Sequence, residues 1–66
     1  MGTLDAIAKT KAILNLTEEA TNLLAEEIKN AAQRSPFGAI TIANTVLEKA
    51  MEGKSLVHII GWLKGY

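Results

Sequence analysis

The chain has 66 residues, with seven basic and seven acidic side chains and no cysteine. A chain this short forms one domain at most and buries only about 60% of the surface of its unfolded state. Its zero net charge excludes the attraction for phosphates that supports most nucleic-acid binding, and without cysteine no disulfide or thiolate metal site can stabilise the small core.

The first predicted helix covers residues 3–14. Thr3 is a favourable N-cap, and Asp5 lies in the first turn, where the helix dipole favours negative charge. Residues 15–17, Asn-Leu-Thr, are predicted to end this helix. One of its faces contains Leu4, Ile7 and Leu14.

The second predicted helix begins at Thr17 and continues to about Arg34. Thr17 can cap the helix, and the next two residues are glutamates, which suit its first turn. Because no proline or glycine separates the first two segments, an alternative is one long helix over residues 3–34. The predicted apolar stripe consists of Ala20, Leu24, Ile28 and Ala31, with Leu23 and Ala32 beside it.

Ser35-Pro36 predicts both the end of the second helix and the start of a third, which extends to Glu52. Serine is a favourable N-cap, proline at the first helical position loses no hydrogen bond, and the residue before proline disfavours helical geometry. Gly53 follows where a helix end favours a left-handed residue. The apolar arc of the third helix covers more than half of its circumference and contains Phe37, Ile40, Ile42, Ala43, Val46, Leu47, Ala50 and Met51.

Ser55 is predicted to cap a fourth helix over the last residues of the sequence. This helix is apolar on nearly every side, with a thin polar edge of His58, Gly61 and Lys64. A surface helix normally keeps a broad polar face, so this one must be buried or contact something else. Since the connections are short, the predicted fold is all-α: one domain, a compact antiparallel bundle of four short helices, or of three if residues 3–34 form one helix.

The sequence contains no recognisable catalytic or metal-binding pattern. His58 is the only histidine of the chain, and no nucleophile or orienting acid can be paired with it. The four glutamates of the second helix lack the Glu-x-x-His partner of a di-iron bundle and are interpreted as a solvated face. We therefore expect no catalytic residue, no metal and no cofactor. A helix-turn-helix role is rejected because the fourth helix would present apolar residues to base edges.

Trp62 and Tyr66 end the most apolar helix, and such amphipathic aromatic residues occur in protein interfaces and at lipid headgroups. The main hypothesis is a non-enzymatic module that self-associates, as an oligomeric bundle or a structural subunit of a shell, coat or filament. Its expected partner is a second copy of the chain. The predicted interface consists of Phe37, Ile40, Met51, Leu56, Ile59, Ile60, Trp62, Leu63 and Tyr66.

Two alternatives remain open. Phe37-Gly38, followed by residues 45–47 (Thr-Val-Leu) and by Gly53 before an apolar helix, resembles part of a circular bacteriocin, a compact saposin-like helical globule. The resemblance covers under half of the chain, and those peptides are usually strongly cationic, whereas this chain is neutral. It implies a membrane-active peptide with a lipid surface as partner. The other alternative is a small regulatory inhibitor that docks its fourth helix into a groove of a protein partner.

The predicted location follows from what the first residues and the apolar runs lack. No run reaches the roughly 18 apolar residues of a membrane-spanning helix, and residues 1–5 lack the basic start and apolar core of a signal peptide. We expect the cytoplasm or the inside of an assembly built there. A mature peptide whose leader has been removed would instead be secreted.

Overall fold

A computed structural model describes residues 2–66 of the chain. It contains four helices and, among these residues, no strand. The helices are α1 (Thr3–Leu14), α2 (Glu18–Arg34), α3 (Ala39–Met51) and α4 (Leu56–Lys64). They pack into one globule with a radius of gyration of 10.3 Å. The all-α prediction is confirmed, and of its two versions the four-helix one is observed.

The break between α1 and α2 lies where it was predicted. Asn15 takes a left-handed conformation with φ 55°, and the N–H of Leu16 donates to the Lys11 carbonyl at 3.0 Å. Thr17 then caps α2, because its hydroxyl accepts from the amide of Ala20 at 3.1 Å. One long helix over residues 3–34 is therefore not formed.

Two predicted caps are wrong. Thr3 is the first residue of α1, and Gly2 takes the N-cap position without a side-chain hydrogen bond. Ser35 ends α2 with extended backbone, as a residue before proline should. Its hydroxyl accepts from the Phe37 amide at 3.0 Å and forms a turn. The third helix consequently begins after Gly38 instead of at Pro36.

The end of α3 and the start of α4 follow the predicted local signals. Gly53 has a φ of 88° and donates to the Ala50 carbonyl at 3.0 Å, while Lys54 donates to the Lys49 carbonyl at 3.0 Å. These two bonds form a Schellman motif, which satisfies the last carbonyls of a helix. Ser55 caps α4 by accepting from the amide of His58 at 3.2 Å.

The core is drawn from all four helices, and its apolar side chains are aliphatic; the polar residues Thr10 and Glu27 are buried beside them. The most extensive packing is between α1 and α3, and α4 packs on α2 and α3. Among residues 2–66, no buried side-chain nitrogen or oxygen lacks a hydrogen-bond partner. The buried apolar residues are Ala6, Ile7, Leu24, Ile28, Ala31, Ile42, Ala43, Val46, Leu47, Ala50, Ile59 and Leu63.

The predicted solvated acidic face of α2 is only partly observed. Glu27 is buried and pairs with Lys64 of α4, whereas Glu18 is exposed and pairs with Lys11 of α1. The hydrogen bond from Lys11, together with its positive charge, holds the pKa of the Glu18 carboxyl below its usual value of 4.5. Both ion pairs therefore connect helices within one chain.

Candidate contact surface

The inner face of α4 is packed inside the molecule. Ile59 and Leu63 are both 0% exposed and belong to the core. These two residues were predicted to lie at an interface, and in the folded chain they are not on its surface. Four further predicted interface residues are half-buried against the core: Leu56, Ile60, Trp62 and Tyr66.

The outer face of α4 explains how so apolar a helix fits a small domain. At 100° per residue, one side of the helix collects Val57, His58, Gly61, Lys64 and Gly65, all of which are exposed. Only Val57 among them has a large apolar side chain. The helix therefore turns its few polar residues and its glycines to solvent, and the conflict that the sequence indicated is resolved within the chain.

The remaining three predicted interface residues lie on α3 or just before it. Ile40 and Met51 are 57% and 65% exposed, and Phe37, just before the helix, is 54% exposed. Ile40 and Met51 are about 16 Å apart along the helix axis and point to the same side, next to the buried Leu47. We refer to Phe37, Ile40 and Met51 as the α3 edge.

The polar group closest to the middle of the α3 edge is bonded to its own helix. Asn44 lies one turn after Ile40, and its side-chain amide donates to the Ile40 carbonyl at 2.8 Å. Thr41 is also exposed but lies on the polar side of α3, about a quarter-turn or more away from Ile40. The α3 edge therefore contains Asn44 between Ile40 and Met51, and Thr41 marks its polar boundary.

Other exposed apolar side chains were not predicted. Leu4 is largely exposed, although its spacing had placed it on the inward face of α1. Val57, Leu23 and Ile13 are exposed as well. A helical wheel of α4 places Val57 with His58 and Gly61, so this residue was recognisable from spacing, whereas no local signal distinguishes Leu4 from Ile7.

An aromatic corner is formed at the end of α4. The rings of Trp62 and Tyr66 meet edge to face, with centroids 5.2 Å apart and planes at 75°. The ammonium group of Lys49 lies 4.8 Å from the centroid of the Trp62 ring, close enough for a cation–π contact. An open depression of about 380 Å³ lies beside the two rings and is lined by Gly61, Trp62, Gly65 and Tyr66.

Two side chains of α2 contact the same end of α4. Arg34 donates from Nε to the Tyr66 carbonyl at 2.9 Å and from Nη2 to the Leu63 carbonyl at 3.0 Å. The ammonium group of Lys64 donates to Glu27 Oε2 at 3.2 Å. Arginine at a helix C-terminus satisfies free carbonyls and suits the helix dipole, so these contacts hold α4 on α2.

The described residues offer little for chemistry. His58 is exposed on α4. Within residues 2–66, no three His, Asp or Glu side chains are grouped as a metal ion would require. None of the four helices is both long and apolar enough to cross a membrane.

Comparisons with known proteins found no relative of this chain. No family model matches the chain. The curated proteins and the solved structures contain no match either.

Proposed function

We propose that this chain is a non-enzymatic helical module that associates with further copies of itself through the α3 edge. The observation that supports the proposal most strongly is the exposure of Phe37, Ile40 and Met51 beside a core that is already closed. None of the three belongs to the buried core, so folding leaves their apolar surface in unfavourable contact with water. A second copy would remove that contact by covering them.

The neutral charge of the chain favours this association. Seven basic and seven acidic side chains cancel, so copies do not repel one another through a net charge. The polar boundary of the α3 edge, with Thr41 on one side, limits the contact to one region of the surface. Large apolar side chains surrounded by polar ones are typical of protein contact sites.

A charge placed in the α3 edge is expected to weaken self-association. Burying the exposed part of an isoleucine contributes about 1–1.5 kcal/mol, so Ile40→Lys should raise the dissociation constant at least about tenfold. Thr41→Lys is the matched control, because it adds the same charge one residue further on, at an exposed polar position. Sedimentation equilibrium from low to high micromolar concentration measures both variants against the unaltered chain.

Two results would contradict the proposal. One is a folded, monomeric chain at high micromolar concentration. The other is an equal loss of association in Ile40→Lys and Thr41→Lys, which would indicate a general effect of charge instead of a contact at the α3 edge.

The aromatic corner favours a second candidate function, membrane activity. Trp62 is half-buried beside an open depression, with the cation of Lys49 over its ring. An amphipathic aromatic residue next to a cation is a combination found at lipid headgroups. The third sequence hypothesis, in which α4 docks into a partner groove, has no such support, because the apolar side of α4 already faces its own core.

The fluorescence of Trp62 tests membrane activity directly, since it is the only tryptophan of the chain. Vesicles of phosphatidylcholine with phosphatidylglycerol should shift its emission to shorter wavelength as the ring leaves water. Lys49→Gln should reduce the shift with these anionic vesicles and leave it unchanged with phosphatidylcholine alone. An emission spectrum that stays constant as lipid is added excludes this function.

A further inference from the structure

The polar contacts between α4 and α2 lie at the C-terminal end of α4. Arg34 binds the carbonyls of Leu63 and Tyr66, and Glu27 binds the ammonium group of Lys64. Both side chains belong to α2, and both contacts lie in or after the last turn of α4. The far end of α4 is therefore held by two polar connections to α2, in addition to the contact between the Lys49 ammonium group of α3 and the Trp62 ring.

The opposite end of α4 is joined to α3 by residues 52–55, all of which are exposed. The hydrogen bonds at the two ends of this link are each made to the adjoining helix. Lys54 donates back to Lys49 in α3, and Ser55 accepts from His58 in α4. Gly53 within the link has a φ of 88°. Each helix thus keeps its own end bonds when the backbone between residues 54 and 55 rotates.

The size of α4 makes its stability depend on packing. With nine residues it is the shortest of the four helices, and an isolated helix of that length is marginal in water. Segments with few tertiary restraints open at a lower free energy than the global core. The two α2 contacts and the packing of Ile59 and Leu63 oppose this opening.

We propose that α4 opens as a unit about residues 52–55, and that Glu27 and Arg34 are the contacts that keep it closed. Opening exposes Ile59 and Leu63, which are otherwise inaccessible. The inference goes beyond the proposed function, because it concerns a single chain and holds whether or not the α3 edge binds a second copy.

Amide hydrogen exchange of the unaltered chain at low micromolar concentration is the first test. The amides of Ile59 and Leu63 should exchange at least about tenfold faster than those of Ile28 and Val46, which lie in the core of α2 and α3. Equal exchange in α4 and in the other helices would mean that α4 opens only with global unfolding and would overturn the proposal.

The double variant Glu27→Gln and Arg34→Met tests the role of the two contacts. Glu27→Gln keeps the shape of the side chain and removes its charge, and Arg34→Met keeps the aliphatic stem and removes the guanidinium group. Exchange in α4 should therefore rise by a further factor of roughly ten while α2 and α3 stay unchanged. Glu26→Gln, at an exposed neighbouring position, is the control and should leave all rates as they are. Faster exchange spread evenly over the four helices would overturn the assignment of Glu27 and Arg34.

Discussion

Replacing Ile59 by alanine is expected to lower the free energy of unfolding by about 2–5 kcal/mol. The side chain is 0% exposed in the core that α4 shares with α2 and α3, so its truncation leaves a cavity in addition to the lost apolar burial. In a domain of this size each kcal/mol corresponds to about 4–8 °C in the melting temperature. Thermal and urea unfolding followed by circular dichroism measure the change.

The control for Ile59→Ala lies two residues earlier in the same helix. Val57 is 83% exposed, so Val57→Ala leaves no cavity and should change the unfolding free energy by no more than about 0.5 kcal/mol. If Ile59→Ala does not fold, Ile59→Val, which removes one methylene, should still cost about 0.5–1.5 kcal/mol. Equal effects at positions 57 and 59 would mean that α4 does not turn Ile59 inward, and the assignment of its inner and outer faces would fail.

Replacing Gly53 by alanine is expected to lower the free energy of unfolding by about 1–2 kcal/mol. The backbone there has a φ of 88°, and a Cβ atom at this position meets no other atom within 4 Å. The cost is therefore due to the left-handed conformation alone, in which a Cβ approaches its own carbonyl. Urea unfolding with a common denaturant slope for both proteins measures it.

Gly61 is the matched control for Gly53. It is also exposed, and a Cβ atom built on it again meets nothing within 4 Å, but it lies inside α4. Gly61→Ala should therefore stabilise the chain by about 0.5–1 kcal/mol, because alanine loses less backbone entropy in a helix. The same substitution thus has opposite signs at two equally open positions. Destabilisation of similar size at both positions would contradict the assignment of the cost to the left-handed backbone at Gly53.

The local signals that were correct all act over four or five residues. Thr17 and Ser55 accept from amides of their own helices, and Gly53 supplies the left-handed residue of a Schellman motif. Ser35 shows where such reasoning fails. Its hydroxyl accepts from the amide of Phe37, two residues on, and forms a turn, so that α3 begins only after Gly38.

The structure divides the predicted interface residues into exposed and buried ones. Phe37, Ile40 and Met51 are exposed as an interface requires, whereas Ile59 and Leu63 are buried in their own chain. The reason lies in the width of the apolar arcs on α3 and α4. Each arc is wider than the part of its helix that the neighbouring helices can cover. The spacing of apolar residues therefore does not indicate which part of the arc is buried.

By itself the sequence determined the helical class, the break at residues 15–17, the end of α2 before Pro36, and the caps at Thr17 and Ser55, because hydrogen bonds and steric contacts between near neighbours decide these features. Only the tertiary structure decided which apolar residues are hidden. It placed Ile59 inside, left Ile40 in water and paired Glu27 with Lys64. The physical reason is that burial depends on where the other helices lie, and that position is set by the packing of all four at once.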